Sequence, residues 1–159
     1  MLRDIIKYDL FAVCDGRLID VTEVSDFAFS SKMMGNGFAF IPESGLINSP
    51  IDGIVSEVFP TKHVIGIQNK PLELLVHIGI NTVDLNGEPF INKVSVGQKV
   101  NHDTLISEVD LKMINKKSNI SSEIIILFLD QVNIKSLQIN NFGAVARGQN
   151  IGTIEIYNS

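Results

Sequence analysis

The sequence predicts an all-β fold, an antiparallel β-sandwich or squashed barrel with one or two short helical turns. Apolar residues rich in Ile, Val and Phe occur mostly in runs of roughly four to eight positions, which is typical of strands. Gly, Asn, Asp and Pro separate the runs, as expected for tight turns. No proline-rich or low-complexity linker divides the 159 residues. A single core is therefore expected.

Short apolar runs predict strands along the whole chain, and only two stretches have helical character. Residues 25–33 begin with Ser25 and Asp26, and residues 110–117 begin with Asp110 and lack Gly and Pro. Serine and aspartate are favoured helix N-caps, so each stretch predicts a helix of one or two turns. The predicted strands are 10–13, 16–21, 37–41, 45–48, 53–58, 64–67, 72–78, 90–93, 105–109, 123–129, 134–139, 144–146 and 153–157.

Residues 1–12 are predicted to be a short N-terminal segment, and residues 13–159 a single domain. We expect residues 1–8 to be a loose chain end, with a short amphipathic segment that touches a membrane as the alternative. The longest apolar stretch, 124–129, is far below the roughly 20 residues that span a bilayer. The N-terminus also lacks the apolar region of a signal peptide. The sequence therefore predicts a cytoplasmic protein with no transmembrane segment.

Charge argues against nucleic acid as a partner, and cysteine content indicates a reducing environment. The net charge is −5 and no run of Lys and Arg is present, so nucleic acid is not an expected partner. The single cysteine, Cys14, has no partner for an internal disulfide, and its neighbours Ala12 and Val13 are apolar. A buried thiol in a reducing, intracellular setting is expected.

Two histidines flank a predicted turn and are the first candidates for a functional site. His63 and His77 lie in strand-like runs on either side of the turn sequence QNKP at 68–71. A hairpin centred on Lys70 pairs residues whose numbers sum to 140, which places His63 directly opposite His77 on one face. The predicted register also puts Ile65, Ile67 and Leu75 on this face.

Such surroundings favour neutral imidazole rings. Two close cationic rings repel each other, and an apolar environment disfavours charge, so both effects lower the pKa of each histidine. A neutral ring keeps the lone pair that a nucleophile needs. The residues by themselves leave open whether the pair is catalytic or structural.

Several segments resemble a known family, the glucose-type IIA proteins of the bacterial sugar phosphotransferase system. The segment HIGINTVDL at 77–85 resembles the phosphorylation-site motif of that family, and PTKHV at 60–64 resembles the segment with its second active-site histidine. Further similarity lies in MGNGFA at 34–39, SPIDG at 49–53 and GQKV at 97–100. The resemblance extends from about Val13 to Ile156 and so covers nearly the whole chain.

The resemblance implies a phosphocarrier without a cofactor or metal. His77 would accept a phosphoryl group from the phosphohistidine of the small carrier HPr and pass it to a cysteine on the IIB domain of a sugar permease. His63 would not take the phosphoryl group but would hold its oxygens, and Thr61 would support the site through hydrogen bonds. Gly79 is expected to offer its carbonyl to His77 Nδ1, which would leave Nε2 as the nucleophile.

The resemblance also implies a hydrophobic docking surface for both partners. Asn81 occupies a position that is usually aspartate in the family, and Leu75 and Ile78 occupy positions where phenylalanine is frequent. Loss of a carboxylate is expected to weaken contact with a basic partner surface. The residues that match hydrophobic docking positions are Phe29, Met33, Phe59, Leu75 and Val83.

Three other functions each match one feature of the sequence. A metal-dependent hydrolase would use the histidine pair as zinc ligands, but zinc catalysis needs a third ligand, and the remaining histidine, His102, lies in a polar turn without a recognised metal spacing. A biotinyl or lipoyl carrier would modify Lys112 in the tripeptide LKM, although this lysine lies in a helix-like stretch. A binding module without catalysis would need neither histidine.

Overall fold

Strands dominate the computed structural model, which describes residues 3–33 and 35–158, and the all-β prediction is confirmed. Two short helices, α1 (Phe27–Ser30) and α2 (Leu111–Asn115), lie within the two stretches that predicted them. The strands are β1 (Asp4–Phe11), β2 (Gly16–Asp20), β3 (Gly37–Pro42), β4 (Leu46–Asn48), β5 (Gly53–Val58), β6 (Val64–Asn69), β7 (Leu72–Ile80), β8 (Phe90–Asn92), β9 (Lys99–Val100), β10 (Leu105–Val109), β11 (Ser121–Phe128), β12 (Ile134–Ile139), β13 (Gly143–Val145) and β14 (Asn150–Asn158).

Within residues 3–33 and 35–158, all the strand pairings are antiparallel and form three sheets. The largest sheet has the order β13-β2-β3-β11-β7-β6-β5-β9, and two three-stranded sheets have the orders β1-β14-β12 and β4-β10-β8. The main core contains fully buried side chains from all three sheets, for example Leu10, Phe38, Leu74 and Ile106. Strand β9 was not predicted because its two residues are too short to produce an alternating pattern.

Strand β7 lies near the middle of the large sheet and separates two apolar environments. Leu74, Val76 and Ile78 are buried in the main core, whereas Leu75 and His77 alternate with them and are half-buried on the opposite face. A second apolar cluster contains residues from β11 and α1 and includes Ile125, the ladder partner of His77. His77 therefore lies on the outer face of the sheet, beside this smaller cluster. The second cluster consists of Ile19, Val21, Val24, Phe29, Ala39, Ile80, Ile125 and Leu127.

The N-terminal segment is not a loose end over the residues that the structure describes. Asp4–Phe11 form β1 and pair with the C-terminal strand β14 from Asp4↔Asn158 to Phe11↔Asn150. Tyr8 and Leu10 belong to the main core. The expectation of a loose chain end is therefore wrong for these residues. Their pairing partner lies almost 150 positions away, so no short stretch of sequence indicates it. The domain boundary after residue 12 stays a prediction.

No helix in the described ranges is long and apolar enough to cross a membrane.

The burial of β1 predicts unequal effects of two truncations on the same strand. Leu10 is 0% exposed and Ile5 is 43% exposed. Leu10→Ala should lower the free energy of unfolding by about 2–5 kcal/mol, because it leaves a cavity in the core. Ile5→Ala should cost less than about 1 kcal/mol. Urea denaturation of both variants measures the difference, and equally small losses would mean that β1 does not contribute to the core.

Candidate functional site

The β6–β7 hairpin has a register one residue away from the predicted one. Its ladder runs from Asn69↔Leu72 to Val64↔His77, so opposed residue numbers sum to 141. The predicted direct opposition of His63 and His77 is therefore wrong, because the loop has two residues, Lys70 and Pro71, instead of an odd number. The same shift corrects the expected neighbours of the pair: Ile65 and Ile67 are buried in the main core, and Leu75 remains on the face of His77.

His63 nevertheless reaches His77 from the turn that precedes β6. The amide of Lys62, which has a φ of 64°, donates to the carbonyl of Phe59 at 2.8 Å, and the amide of Ile78 donates to the carbonyl of His63 at 2.7 Å. The two imidazole rings meet at right angles with centroids 5.2 Å apart. The structure thus brings together the two histidines that the sequence singled out, by a different route from the one predicted.

His63 is held on two sides. Its Nδ1 lies 2.6 Å from Thr61 Oγ1, a hydrogen bond whose direction depends on the tautomer of the ring. Phe59 packs perpendicular to the ring at 5.9 Å between centroids. His63 is buried, and burial lowers its pKa. The ring is therefore oriented and favoured in its neutral form.

His77 presents one ring nitrogen and encloses the other. Its Nδ1 is buried and makes no hydrogen bond of ordinary geometry within the residues that the structure describes, but the Gly79 backbone acts on the ring as a hydrogen-bond partner, so the expected contact with the Gly79 carbonyl stays a prediction. Phe29 packs against the ring at 5.2 Å between centroids with a tilt of 59°. Enclosure of Nδ1 leaves Nε2 as the nitrogen available to a partner.

The surroundings lower the pKa of His77 to about 4. Burial is the largest cause, and repulsion from a protonated His63 adds to it. Hydrogen bonding to the Gly79 backbone and the negative charge of Asp26 raise the pKa of His77 but do not cancel these effects. At physiological pH the ring is neutral and retains a lone pair.

Gly79 is required by the backbone at this site. Its φ is +88°, in the left-handed region that favours glycine. A Cβ atom here would lie 2.2 Å from Thr82 Cγ2 and 2.7 Å from the carbonyl oxygen of Ser121. Thr82 is fully buried and donates a hydrogen bond from Oγ1 to the carbonyl of Ile78 at 2.6 Å. Gly79 thus allows the 3-10 turn Thr82–Leu85 to fold over the end of β7.

A small cleft of about 160 Å³ opens beside the two rings. Sequence reasoning missed three of its members, Asp26, Ile80 and Thr82. Asp26 was predicted only as a helix cap, and it does accept a hydrogen bond from the amide of Ala28 at 2.8 Å. Asp26 also lies close to the histidines because of the way α1 packs on the sheet. No nearby stretch of sequence indicates this packing. The cleft is lined by Asp26, Phe29, His63, His77, Ile80, Asn81, Thr82 and Val83.

The residues predicted for docking differ in accessibility. Met33 is 73% exposed and Val83 is also exposed, whereas Phe29 is buried against His77. Asn81 is exposed and donates from Nδ2 to the carbonyl of Asn119 at 2.9 Å. Phe59 and Leu75 are half-buried. Phe27 is 75% exposed on α1 and was not predicted.

The remaining candidates from the sequence lie outside the cleft. His102 stacks on Phe11 at 3.9 Å between centroids, and its Nδ1 lies 3.1 Å from Asp52 Oδ1. No group of three His, Cys, Asp or Glu side chains suited to a metal ion occurs in residues 3–33 and 35–158. Lys112 is exposed on α2, not in the tight hairpin that a biotinyl or lipoyl lysine would need.

Comparison with known proteins decides the family. The family model for the phosphoenolpyruvate-dependent sugar phosphotransferase system, EIIA 1, matches residues 8–134. The chain belongs to this family. The resemblance drawn from the histidine motifs is therefore confirmed, and the chain is an EIIA component, a part of the phosphotransferase system that carries phosphoryl groups.

Two relatives match this EIIA domain over most of its length. The PTS system glucose-specific EIICBA component of Streptococcus pneumoniae serotype 4 (strain ATCC BAA-334 / TIGR4) is 39% identical over 149 residues, which are 93% of this chain and 20% of that protein. The chain thus spans about a fifth of the length of this relative. The solved structure of glucose permease IIA from Mycoplasma capricolum is 38% identical with a TM-score of 0.85, over 93% of this chain and 96% of that one.

The depressed pKa of His77 predicts a specific loss of stability in acid. The unfolded chain binds the proton with the ordinary pKa of 6.5 and the folded EIIA domain only near 4. Between these values the unfolded state holds more protons, so the free energy of unfolding falls as pH is lowered through this window and levels off below it. The loss attributable to His77 is roughly 3 kcal/mol at most.

His77→Gln should remove this part of the acid dependence. Urea denaturation at a series of pH values, with native protein and variant in parallel, measures it. Parallel curves for the two proteins from above pH 6.5 to below pH 4 would contradict a buried, neutral His77.

Proposed function

We propose that this EIIA domain carries its phosphoryl group on His77, accepts it in the cytoplasm from phosphorylated HPr, and transfers it to a cysteine of the IIB domain of a sugar permease. The observation that supports this most directly is the neutral His77, with Nδ1 enclosed and Nε2 left available, beside a second oriented histidine. Membership of the EIIA family supports the same chemistry.

In the proposed first step, the Nε2 lone pair of His77 attacks the phosphorus of the donor phosphohistidine. The new N–P bond forms as the N–P bond of HPr breaks in line with it, and the proton on Nδ1 stays in place. In the second step, a cysteine thiolate of IIB attacks the phosphorus, the S–P bond forms, and Nε2 leaves with its electron pair. Neither step consumes a proton from His77, so a ring that is already neutral suits both.

His63 is proposed to donate a hydrogen bond to the phosphoryl oxygens. If the Thr61 hydroxyl donates to His63 Nδ1, the proton of the neutral ring resides on Nε2, which is then a donor. A fixed donor close to the transferring group stabilises the charge on its equatorial oxygens in the transition state. Thr61 acts through His63 and is a positioning residue.

The docking surface is proposed to surround the cleft. Phe27, Met33 and Val83 have exposed apolar side chains. Such side chains can pack against two partners of different shape. Phe59 and Leu75 are half-buried and are proposed to contribute at the edge of this surface. Phe29 contributes mainly by packing on His77.

Replacement of each histidine tests the carrier mechanism. Intact mass is measured after incubation with phosphoenolpyruvate, enzyme I and HPr. Native protein should gain one acid-labile phosphoryl group, His77→Ala should gain none, and His63→Gln should gain one but fail to pass it to a IIB domain.

His102→Gln is the matched control, because His102 lies outside the cleft, and it should behave as native in both transfers. Native protein that gains no phosphoryl group, or His77→Ala that still gains one, would contradict the proposal.

The enclosure of Nδ1 predicts where the phosphoryl group is attached. Phosphorylation of protein labelled with ¹⁵N at histidine should change the Nε2 chemical shift of His77 and produce phosphorus coupling to Nε2. Coupling to Nδ1 would overturn the assignment of the nucleophile, even if His77 were the residue modified.

A further inference from the structure

Glu123 on β11 makes a concentrated set of hydrogen bonds to a segment far away in the sequence. Its Oε2 accepts from the amide of Ser25 at 3.0 Å, and its Oε1 accepts from the Ser25 hydroxyl and, at 2.8 Å, from the Ser121 hydroxyl. Ser25 and Glu123 are 98 positions apart. A charged acceptor with three donors is a strong local attachment.

The attached segment carries two residues of the phosphoryl site. Ser25 directly precedes Asp26, whose side chain caps α1 by accepting from the amide of Ala28. Phe29 on α1 packs against the ring of His77, and the carboxylate of Asp26 acts on the same ring. Both residues line the cleft with His77 and His63.

Few other polar contacts hold this segment. Across the described residues, the other hydrogen bonds of positions 21–33 stay within positions 20–35. Apolar packing of Val21, Val24 and Phe29 in the second cluster provides the rest of the attachment. Apolar packing is not directional, so it leaves the exact position of α1 relative to the ring less specified than a hydrogen-bonded carboxylate does.

Glu123 lies on the strand next to β7, close to His77. Glu123 and Ile125 are two residues apart on the same strand, and Ile125 is the ladder partner of His77, so the carboxylate lies on the outer face with the phosphoryl site. The ladder shifts between Ser121 and Ile124, and this irregularity coincides with the hydrogen bond of the Glu123 amide to Ser121 Oγ at 3.2 Å.

We infer that Glu123 is a positioning residue for phosphoryl transfer: by fastening Ser25 to β11 it holds Asp26 and Phe29 against His77. This inference rests on the proposed function of His77. Glu123 itself makes no hydrogen bond to either histidine and acts through the segment that it fastens.

Glu123→Gln is the most direct variant, because it keeps the size of the side chain and changes its hydrogen bonding. The oxygen of glutamine can still accept from the Ser25 amide, but its amide nitrogen cannot accept from the Ser25 and Ser121 hydroxyls, so the three charge-assisted hydrogen bonds of the carboxylate are lost. Ser25→Ala is a milder second variant that removes the hydroxyl and keeps the backbone amide. Glu108→Gln is the matched control, since Glu108 pairs with Lys93 at 3.8 Å in the sheet β4-β10-β8.

Two measurements decide the inference. The first is the initial rate of phosphorylation as a function of phosphorylated HPr concentration, in which Glu123→Gln should lower kcat/KM by about tenfold, the cost of a slightly misplaced catalytic group. The second is NMR titration of the His77 ring, in which loss of the nearby Asp26 carboxylate should lower the pKa of His77 further. Ser25→Ala should change both in the same direction and by less, and Glu108→Gln should change neither.

An unchanged His77 titration in Glu123→Gln would overturn the inference, whether or not the rate of phosphorylation falls, because the effect would then not pass through Asp26. An unchanged rate in a protein that is phosphorylated would overturn it as well. If native protein is not phosphorylated at all, the proposed function fails, and the titration still decides whether Glu123 positions the segment beside His77. If Glu123→Gln does not fold, the same readings apply to Ser25→Ala.

Discussion

The right-angle contact between the rings of His63 and His77 is the interaction on which the functional site depends. It keeps two ionisable groups 5.2 Å apart in largely apolar surroundings, where charge on one ring opposes charge on the other. As a consequence, the free energy of unfolding falls in acid, because the unfolded chain binds protons more readily. In return, a nucleophilic lone pair is present without a neighbouring base to generate it.

The large sheet makes this contact possible by separating two environments across one strand. Side chains of β7 that point inward fill the main core, and His77, which points outward, lies beside the small cluster that includes Phe29 of α1. His77 is consequently enclosed at Nδ1 but open on one side. A position at the centre of the main core would block partners, and a fully exposed position would leave the pKa near its ordinary value.

The site is assembled from segments that are remote along the chain. The turn before β6 supplies His63, the end of β7 supplies His77 and Gly79, and the segment before α1 supplies Asp26. Glu123 joins that last segment to the strand beside His77. The geometry around the two histidines therefore depends on hydrogen bonds at some distance from their rings, the kind of support that matters where positioning contributes most to a rate.

The sequence by itself determined most of the strands, the two short helices and the two histidines, because alternation, turn residues and caps are local properties of the chain. Tertiary structure alone decided the register of the β6–β7 hairpin, the pairing of β1 with β14, and the arrival of Asp26 and Glu123 at the site. A single residue in the length of a loop reverses which face a side chain takes, and docking between distant segments is selected by packing over the whole core. Neither is encoded in any short stretch of residues.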